Sequence, residues 1–563
     1  RKLRNLSEAA SHYVKAIDIN PNYVDAQSNL GTTLIELGQH NDAIATIQKV
    51  LTIKPDHAEA HSNLGVIYQE QGNVDEAVKR LDMALSYQPE RVGWRIKQSL
   101  FMPVIPHSQE DIETRRDTLE KNVAALREQN LSVADPAVGV GITNFYLAYH
   151  NQNNRSLMQS IAQLYIKVCP ELAFEAQHCQ TQHRAGKDVL RIGFLSSFFQ
   201  DHVVGKLTRG IIEHLSRDLF EVIVFRLPGK KDDMSKAIDA TTGKVISLSR
   251  NLERNRKVVE AEELDILFYP DIGMDPYTYF LSFSRLAPVQ AVSWGHPDTT
   301  GIPNIDYFIS SALLEIPEAS SHYSEHLIRL PYVPTYYFRP DVPEVSFARN
   351  AFGLPDEGHL YVCPQTLFKF HPQFDTTLGE LLRRDPDGHL ILIDDQRGGN
   401  WKRLLYERFN RSFPDVIDRV NFVPHMPREK YLGLLTVADV ILDIPTFSGG
   451  NSSLEALAMG SPVITWPQDF MRGRVTAALY KQMGMSDLIV TDAESYLVLA
   501  LRLAQDADFK SRIQADIKAN VDKLYERHEV VREMEKFFIA AYEASTSAKP
   551  LGDWAKDTKL VDQ

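Results

Sequence analysis

Pro21, Pro55 and Pro89 fall at a constant interval of 34 residues, and other residues keep the same spacing. Asn-Leu-Gly at 29–31 recurs at 63–65, Gly38 recurs as Gly72, and Ala9 as Ala43 and Ala77. A period of this length commits the front of the chain to stacked helix pairs, because each unit can bury its apolar face only against its neighbours. Small Gly and Ala positions let paired helices approach closely, while each Pro ends one helix and opens the next unit. The pattern holds two complete pairs after one trailing helix, which is short for a free-standing array. We therefore expect further repeats upstream or docking onto residues 95–185. The concave face of such a stack suits an extended peptide. Asn29 and Asn63 recur once per unit, so their amides could grip a peptide backbone without reading its sequence. The plainer alternative is that they satisfy nearby helix carbonyls.

The pattern changes at Val189. VLRIGFLSSFF, FEVIVFRL, ELDILFYP and DYFISS are short β-rich runs, and HLYVCPQ, GHLILIDD, DRVNFVPHM, DVILDIP and SPVITWP form a second set, with helix-like segments between them. This alternation predicts parallel sheets covered by helices, here as two Rossmann-like lobes. The proline- and tyrosine-rich stretch 330–344 suits an extended connector between them. The expected division is repeats over 1–94, a helical transition over 95–186, a first lobe over 187–340, a second over 341–545 and a tail over 546–563. Ligands bind outside the carboxyl ends of strands in such sheets, so facing lobes put the site in the cleft between them.

With 44% hydrophobic and 24% charged residues the chain is of the ordinary globular kind. No apolar run approaches the roughly 18 residues of a membrane span. A formal charge of −13 argues against a general nucleic-acid binder, so any polyanion must be held locally. Cys169, Cys179 and Cys363 form no CxxC, which suits a reducing compartment and makes a cytoplasmic location the expectation. The numbering begins at Arg1, within a repeat, so residues upstream are expected. No GxGxxG or GxxxxGK(S/T) occurs at a strand-to-helix junction, which speaks against a dinucleotide oxidoreductase or a P-loop NTPase. Asp385 and Asp387 flank Pro386 in a turn into the HLILI run rather than a metal site. No divalent metal is expected in the chemistry.

The stretch 442–467, LDIPTFSGGNSSLEALAMGSPVITWP, reads as strand, loop, helix and strand, with an acid expected in the first turn of the helix. Ser448, Gly449, Gly450, Asn451 and Ser452 are small and polar, so the backbone can approach a ligand closely. The N–H groups and positive dipole end of the following helix then favour an anion. Glu455 could accept hydrogen bonds from a ribose diol beside it. The competing reading is an ordinary capping box.

The front repeats resemble the tetratricopeptide (TPR) repeat. Six further blocks, LRIGFLSSFFQDHVVGKL, PVQAVSWGHPDTTGIPNIDYFIS, YSEHLIRLP, CPQTLFKFHP, ADVILDIPTFSGGNSSLEALAMGSPVIT and MRGRVTAALYKQMG, resemble in this order the O-GlcNAc transferase family, in its bacterial and SPINDLY-like branches. That family joins TPRs to a two-lobed GT-B catalytic core. The resemblance implies an α-helical TPR solenoid followed by an α/β GT-B fold with two Rossmann-like lobes. It also implies inverting transfer of a sugar, GlcNAc from UDP-GlcNAc in the first instance, to Ser or Thr of protein acceptors lying along the TPR groove. No cofactor, metal, nucleic acid or membrane is implied, and the repeats could also join copies of the chain. Related branches use GDP-fucose or transfer glucose to Asn. A catalytically dead peptide-binding scaffold and a glycosyltransferase for small molecules or glycans are rival readings.

Residue by residue, the resemblance makes Lys369 the contact to the donor diphosphate that stabilises the departing charge. Asn451 and Ser452 contact the same diphosphate from the loop that holds Gly449 and Gly450, and Glu455 holds the ribose. Gly450 and Glu455 stand where the family example carries His and Asp. Tyr431 falls where a ring stacks on uracil, although it equally suits the core of its helix, and Arg428 falls near the nucleotide. Gly295, His296, Thr366 and Met426 fall near the donor, with His296 equally readable as structural. His202 faces the sugar as a candidate general base or as a positioning group, a donor phosphate oxygen taking the proton in the second case. Phe198 stands where an animal relative has Asp, so no aspartate relay is implied.

Overall fold

Each proline of the 34-residue interval sits just past a helix end in the computed structural model, which describes residues 2–180, 186–229, 231–344, 346–395, 399–547, 551–552 and 554. α1 (Lys2–Ile19) stops before Pro21; α2 (Val24–Glu36) pairs with α3 (His40–Ile53), which stops before Pro55. α4 (Ala58–Glu70) pairs with α5 (Val74–Tyr87), which stops before Pro89, and α6 (Val92–Ser99) comes next. The turns inside the pairs use Gly38 and Gly72 at φ 74° and 83°, a region that residues with a Cβ enter only at a cost. Ala43 and Ala77 are fully buried where the helices meet.

The repeats dock onto the transition region. Trp94, Phe101 and Ile142 pack with Val74, Ala77 and Leu81, and the Gln69 amide donates to the Met102 carbonyl at 2.6 Å. Docking also goes further than the sequence suggests. The Trp401 indole N–H donates to the Glu70 carbonyl at 2.8 Å, and Leu404 fills the space beside Gly72. On the other side, the Arg250 guanidinium lies 3.6 Å from the Glu36 carboxylate.

The first sheet holds β1 (Leu190–Ser196), β2 (Phe220–Arg226), β3 (Lys244–Ser247), β4 (Ile266–Tyr269), β5 (Val289–Ser293), β6 (Tyr307–Ser311) and β7 (His326–Leu330). Their order is β3-β2-β1-β4-β5-β6-β7. The second holds β8 (His359–Cys363), β9 (Gly388–Ile393), β10 (Val420–Val423), β11 (Val440–Leu442) and β12 (Val463–Ile464), in the order β10-β9-β8-β11-β12. Every strand pair in both sheets is parallel. Strand order reverses between β1 and β4 in one sheet and between β8 and β11 in the other, which are the switch points where such sheets bind ligands. The sequence runs announce nine of these strands and miss β3, β5 and β7. β3 is a four-residue edge strand that stays largely exposed, β7 is the opposite edge with Arg329 interrupting its apolar run, and β5 is interior but carries a buried Gln290.

The chain returns to the first lobe at its end. Helix His528–Ser547 lays Val531, Met534, Phe537 and Phe538 against the first sheet, with Phe538 edge-on to Phe220 and Phe268. Of the expected tail 546–563, residues 548–550, 553 and 555–563 lie outside the described residues. Among the described residues no helix is long and apolar enough to cross a membrane.

A buried ion pair locks the second lobe to the transition region. Arg408 binds both Asp375 oxygens at 2.8 and 2.9 Å and donates to the Pro106 carbonyl at 3.1 Å. Both side chains are almost fully enclosed. Replacing Arg408 by Met strands a buried carboxylate and should cost about 3–5 kcal/mol, seen as a fall in melting temperature. The double change Arg408→Met with Asp375→Leu should recover most of that loss; equal instability of both variants would refute the pairing argument.

Candidate active site

The carboxyl ends of the two sheets face each other across a cavity of about 1000 Å³. From the first lobe come the loop after β1 with His202 and the loop after β5 with Gly295 and His296. The second contributes Thr366 and Lys369 after β8, Met426, Arg428 and Tyr431 after β10, and Gly450, Asn451, Ser452 and Glu455 after β11. Thus all but three of the sequence-derived candidates line one space. Gly449 lies behind the wall, where its N–H donates to Asp443 at 2.6 Å and a Cβ would press on Ser452 and Ser453. Asn29 and Asn63 stand apart on the repeats, and Asn63 donates to the Thr32 hydroxyl of the preceding pair at 3.0 Å rather than to a helix carbonyl.

The helix after β11 runs Asn451–Ala458 with Gly450 at its N-cap, and no side chain caps it. Two expectations change here. The first turn contains no acid, because Glu455 lies a full turn in, and the capping-box reading fails for want of any capping hydrogen bond. What remains is a tip whose first-turn amides are left to solvent or ligand. Tip and connector are joined, since the hydroxyl of Tyr337, in the connector 330–344, donates to Asn451 Oδ1 at 2.5 Å.

Lys369 stands beside this tip. Its ammonium lies 4.6 Å from the centroid of the Phe447 ring, and burial lowers its pKa to about 8, opposed by the Asp443 carboxylate. Asp443 in turn accepts from Ser448 Oγ at 2.6 Å, Thr465 Oγ1 at 2.8 Å and Gln365 Nε2 at 3.2 Å. Glu455 is only 3% exposed and accepts from Asn451 Nδ2 at 2.7 Å. Two cations approach it: Lys206 Nζ from the first lobe at 3.4 Å and Arg428 Nη2 at 3.7 Å. Tyr431 is half-buried one turn beyond Arg428, so both face the same side of their helix. Burial raises its pKa.

His202 caps helix Val203–His214, its Nδ1 accepting from the Val204 N–H at 3.2 Å. An N–H can only donate, so the Nδ1 lone pair is used and the neutral ring carries its proton on Nε2. Burial, with Lys206 nearby, lowers its pKa to about 4, and Phe198 stacks on it at 4.5 Å. The base character expected from sequence thus lacks a free lone pair, while donation from Nε2 is available. His296 is buried against Phe145 at 5.3 Å, and burial lowers its pKa to about 4 as well. Gly295 is required by close approach, since a Cβ there would sit 2.4 Å from the Pro270 carbonyl oxygen.

Sequence reasoning misses several groups. Asp443 lies inside the LDIP run but reads as an anonymous strand end. Lys206 is one helical turn from His202, a spacing that could have singled it out. Phe145 and Tyr149 reach the cavity from the transition region, and Trp401 from helix Asn400–Ser412, with no local signature. Asp271, just beyond β4, is buried and bonded to Ser196, and burial raises its pKa to about 8. It holds the start of the His202 loop as a neutral acid. Asp385 behaves as the turn expected, accepting from His359 and the Tyr361 hydroxyl, both at 2.7 Å.

Residues 114–347 and 340–534 match Glycosyl transferase family 41, and residues 2–53 and 38–100 match the tetratricopeptide repeat. A protein of Arabidopsis thaliana named probable UDP-N-acetylglucosamine--peptide N-acetylglucosaminyltransferase SEC is 25% identical over 378 residues, 64% of this chain and 38% of that protein. The UDP-glucose:protein N-beta-glucosyltransferase of Actinobacillus pleuropneumoniae serotype 7 is 28% identical over 267 residues, 46% of this chain and 41% of that protein. The chain thus spans well under half the length of these curated relatives. The O-GlcNAc transferase of Thermobaculum terrenum, at 21% identity, superposes with a TM-score of 0.69 over 98% of this chain and 99% of its own, so the two share a fold. With TPR pairs in front of two parallel-sheet lobes in the GT-B arrangement, and a family match across most of its length, the chain belongs to glycosyl transferase family 41.

Proposed function

We propose that the chain is an inverting protein O-glycosyltransferase that moves GlcNAc from UDP-GlcNAc to Ser or Thr of a protein acceptor lying along the repeat groove, without a metal. The observation that carries this reading is the pairing of the Lys369 ammonium with an uncapped helix tip at Gly450–Asn451, in one cleft between two switch points. A diphosphate is the anion that suits both. The acceptor hydroxyl attacks the anomeric carbon, the bond to the diphosphate oxygen breaks, and Lys369 and the tip amides take up the charge that develops there. The acceptor proton passes to a donor phosphate oxygen, because His202 spends its Nδ1 lone pair on Val204 and serves to position substrate through Nε2–H. Arg428 and Tyr431 meet the nucleoside, and Glu455 the ribose. Asn29 and Asn63 hold the acceptor backbone.

A second reading, with UDP-glucose as donor, is favoured by the Actinobacillus relative, whose name carries that sugar. A thermal-shift screen of UDP, GDP and their sugars separates the donors, since a ligand that binds only the folded chain raises its melting temperature. Label transfer from the stabilising donor to protein then separates an enzyme from an inert scaffold. No stabilisation by any nucleotide diphosphate would end the proposal.

Lys369→Met should lower kcat about 100- to 1,000-fold while changing donor affinity little; unchanged turnover would remove Lys369 from the chemistry. The free enzyme loses this ammonium as pH rises through about 8. Accordingly kcat/KM for the donor should fall about tenfold per pH unit above that point, and Lys369→Arg should move the descending limb to higher pH. Chelator should leave turnover unchanged. Loss of activity with chelator and its return with magnesium would contradict the charge-stabilising assignment.

A further inference from the structure

The groove that carries Asn29 and Asn63 has a third position in the same phase, and it is Lys97. The three residues lie on α2, α4 and α6, the first helices of successive units. These helices form one wall. Asn63 reaches Thr32 on α2, and Arg91 at the start of α6 pairs with Glu59 on α4 at 3.0 Å. Along this wall the repeated position sinks progressively: Asn29 is exposed, Asn63 is half-buried and Lys97 is 9% exposed. The deep end is also the end next to the catalytic cleft. α6 packs against the segment 136–142, and Phe145, three residues further on, lines the cavity.

An Asn rung both donates and accepts, which matches a peptide group; a Lys rung only donates, and it carries charge. Among the described residues Lys97 makes no hydrogen bond or ion pair, although its neighbour Gln98 donates to Asp82 at 2.6 Å. Burial lowers the Lys97 pKa to about 8, so the group is still mostly protonated near neutral pH. The Lys97 side chain is mostly buried and its ammonium has no counter-charge, so a carboxylate brought in from outside supplies a partner that water alone gives only in part.

We propose that Lys97 is a specificity-determining residue that binds an Asp or Glu side chain of the acceptor at the cleft end of the repeat groove. The inference rests on the reading of that groove as the acceptor site, and it adds a chemical class to the acceptor: an extended segment with an acid at a fixed distance from the modified hydroxyl. The Asn rungs hold such a segment by its backbone, and Lys97 selects its register.

The test uses the whole chain and fluorescently labelled, Ser-containing extended peptides in which a single Glu, or its isostere Gln, is moved one position at a time. For the wild type, Glu should bind more tightly than Gln at one register by roughly tenfold in Kd. Lys97→Asn, which completes the amide ladder, should erase that preference, Lys97→Met should do the same, and Lys97→Arg should keep most of it. Melting temperatures of the Asn and Met variants at or above that of the wild type show that the effect is not unfolding, since each removes an unpaired charge. A wild type without a preferred register, or a preference that survives Lys97→Asn and Lys97→Met, overturns the proposal. Sugar transfer to the same peptides is scored separately. Transfer without a Glu preference rejects the Lys97 assignment and keeps the enzyme, whereas a Lys97-dependent preference without transfer does the reverse.

Discussion

One buried carboxylate, Asp443, organises the second lobe's side of the cleft. Its partners are the Ser448 hydroxyl and Gly449 N–H in the turn before the helix tip, Thr465 just after β12, and Gln365 in the loop that leads to Lys369. Loops from β8, β11 and β12 are thereby tied to a single acid. The arrangement has a second consequence. Because the turn sends its polar groups inward to Asp443, none turns outward to cap helix Asn451–Ala458, and the tip stays free for an anion. Burial raises the pKa of Asp443 while these donors oppose the rise, and its residual charge helps keep Lys369 protonated against its own burial.

Charge in the cleft is concentrated by removing it elsewhere. His202 and His296 are driven neutral by burial, and Asp271 behind them is held as an acid. The cations that remain on the cavity wall include Lys369, Lys206 and Arg428. The last two converge on Glu455, which also takes the Asn451 amide, so under the proposed function the ribose shares a carboxylate that already has three partners. Lys206 comes from the other lobe, so this contact joins the two sides of the cleft directly, and the Tyr337–Asn451 bond adds the connector.

The legible parts of the fold are those with a period or with punctuation. The proline interval marks the C-terminal ends of α1, α3 and α5, and β-rich runs bounded by Gly and Pro mark nine strands, because those residues act on their own backbone. β5 escapes because a polar Gln290 interrupts its apolar run and is buried only by the flanking loops, donating to the carbonyls of Ser284 and Asn304. In the site, the loop 448–452 and Lys369 are readable from local chemistry and resemblance together. The role of His202 is not, because the competing use of Nδ1 depends on the helix it caps. Phe145, Tyr149, Trp401 and Lys206 are invisible for the same kind of reason: each reaches the cavity from an element whose placement only tertiary packing decides.

That packing also ties the repeats to both lobes. Glu36 and Glu70 occupy equivalent positions in successive units, yet one meets Arg250 of the first lobe and the other meets Trp401 of the second. A stack with a fixed rise per unit therefore reaches both lobes. Trp401 carries the contact inward, since it lies edge-on to Phe368 at 5.3 Å and Phe368 precedes Lys369. Phe368 in turn meets Phe145, Tyr146 and Tyr149 of the transition region. The wall of the cavity and the loop of the lysine thus share one packed aromatic cluster, and Trp401 joins that cluster to the repeats through the Glu70 carbonyl.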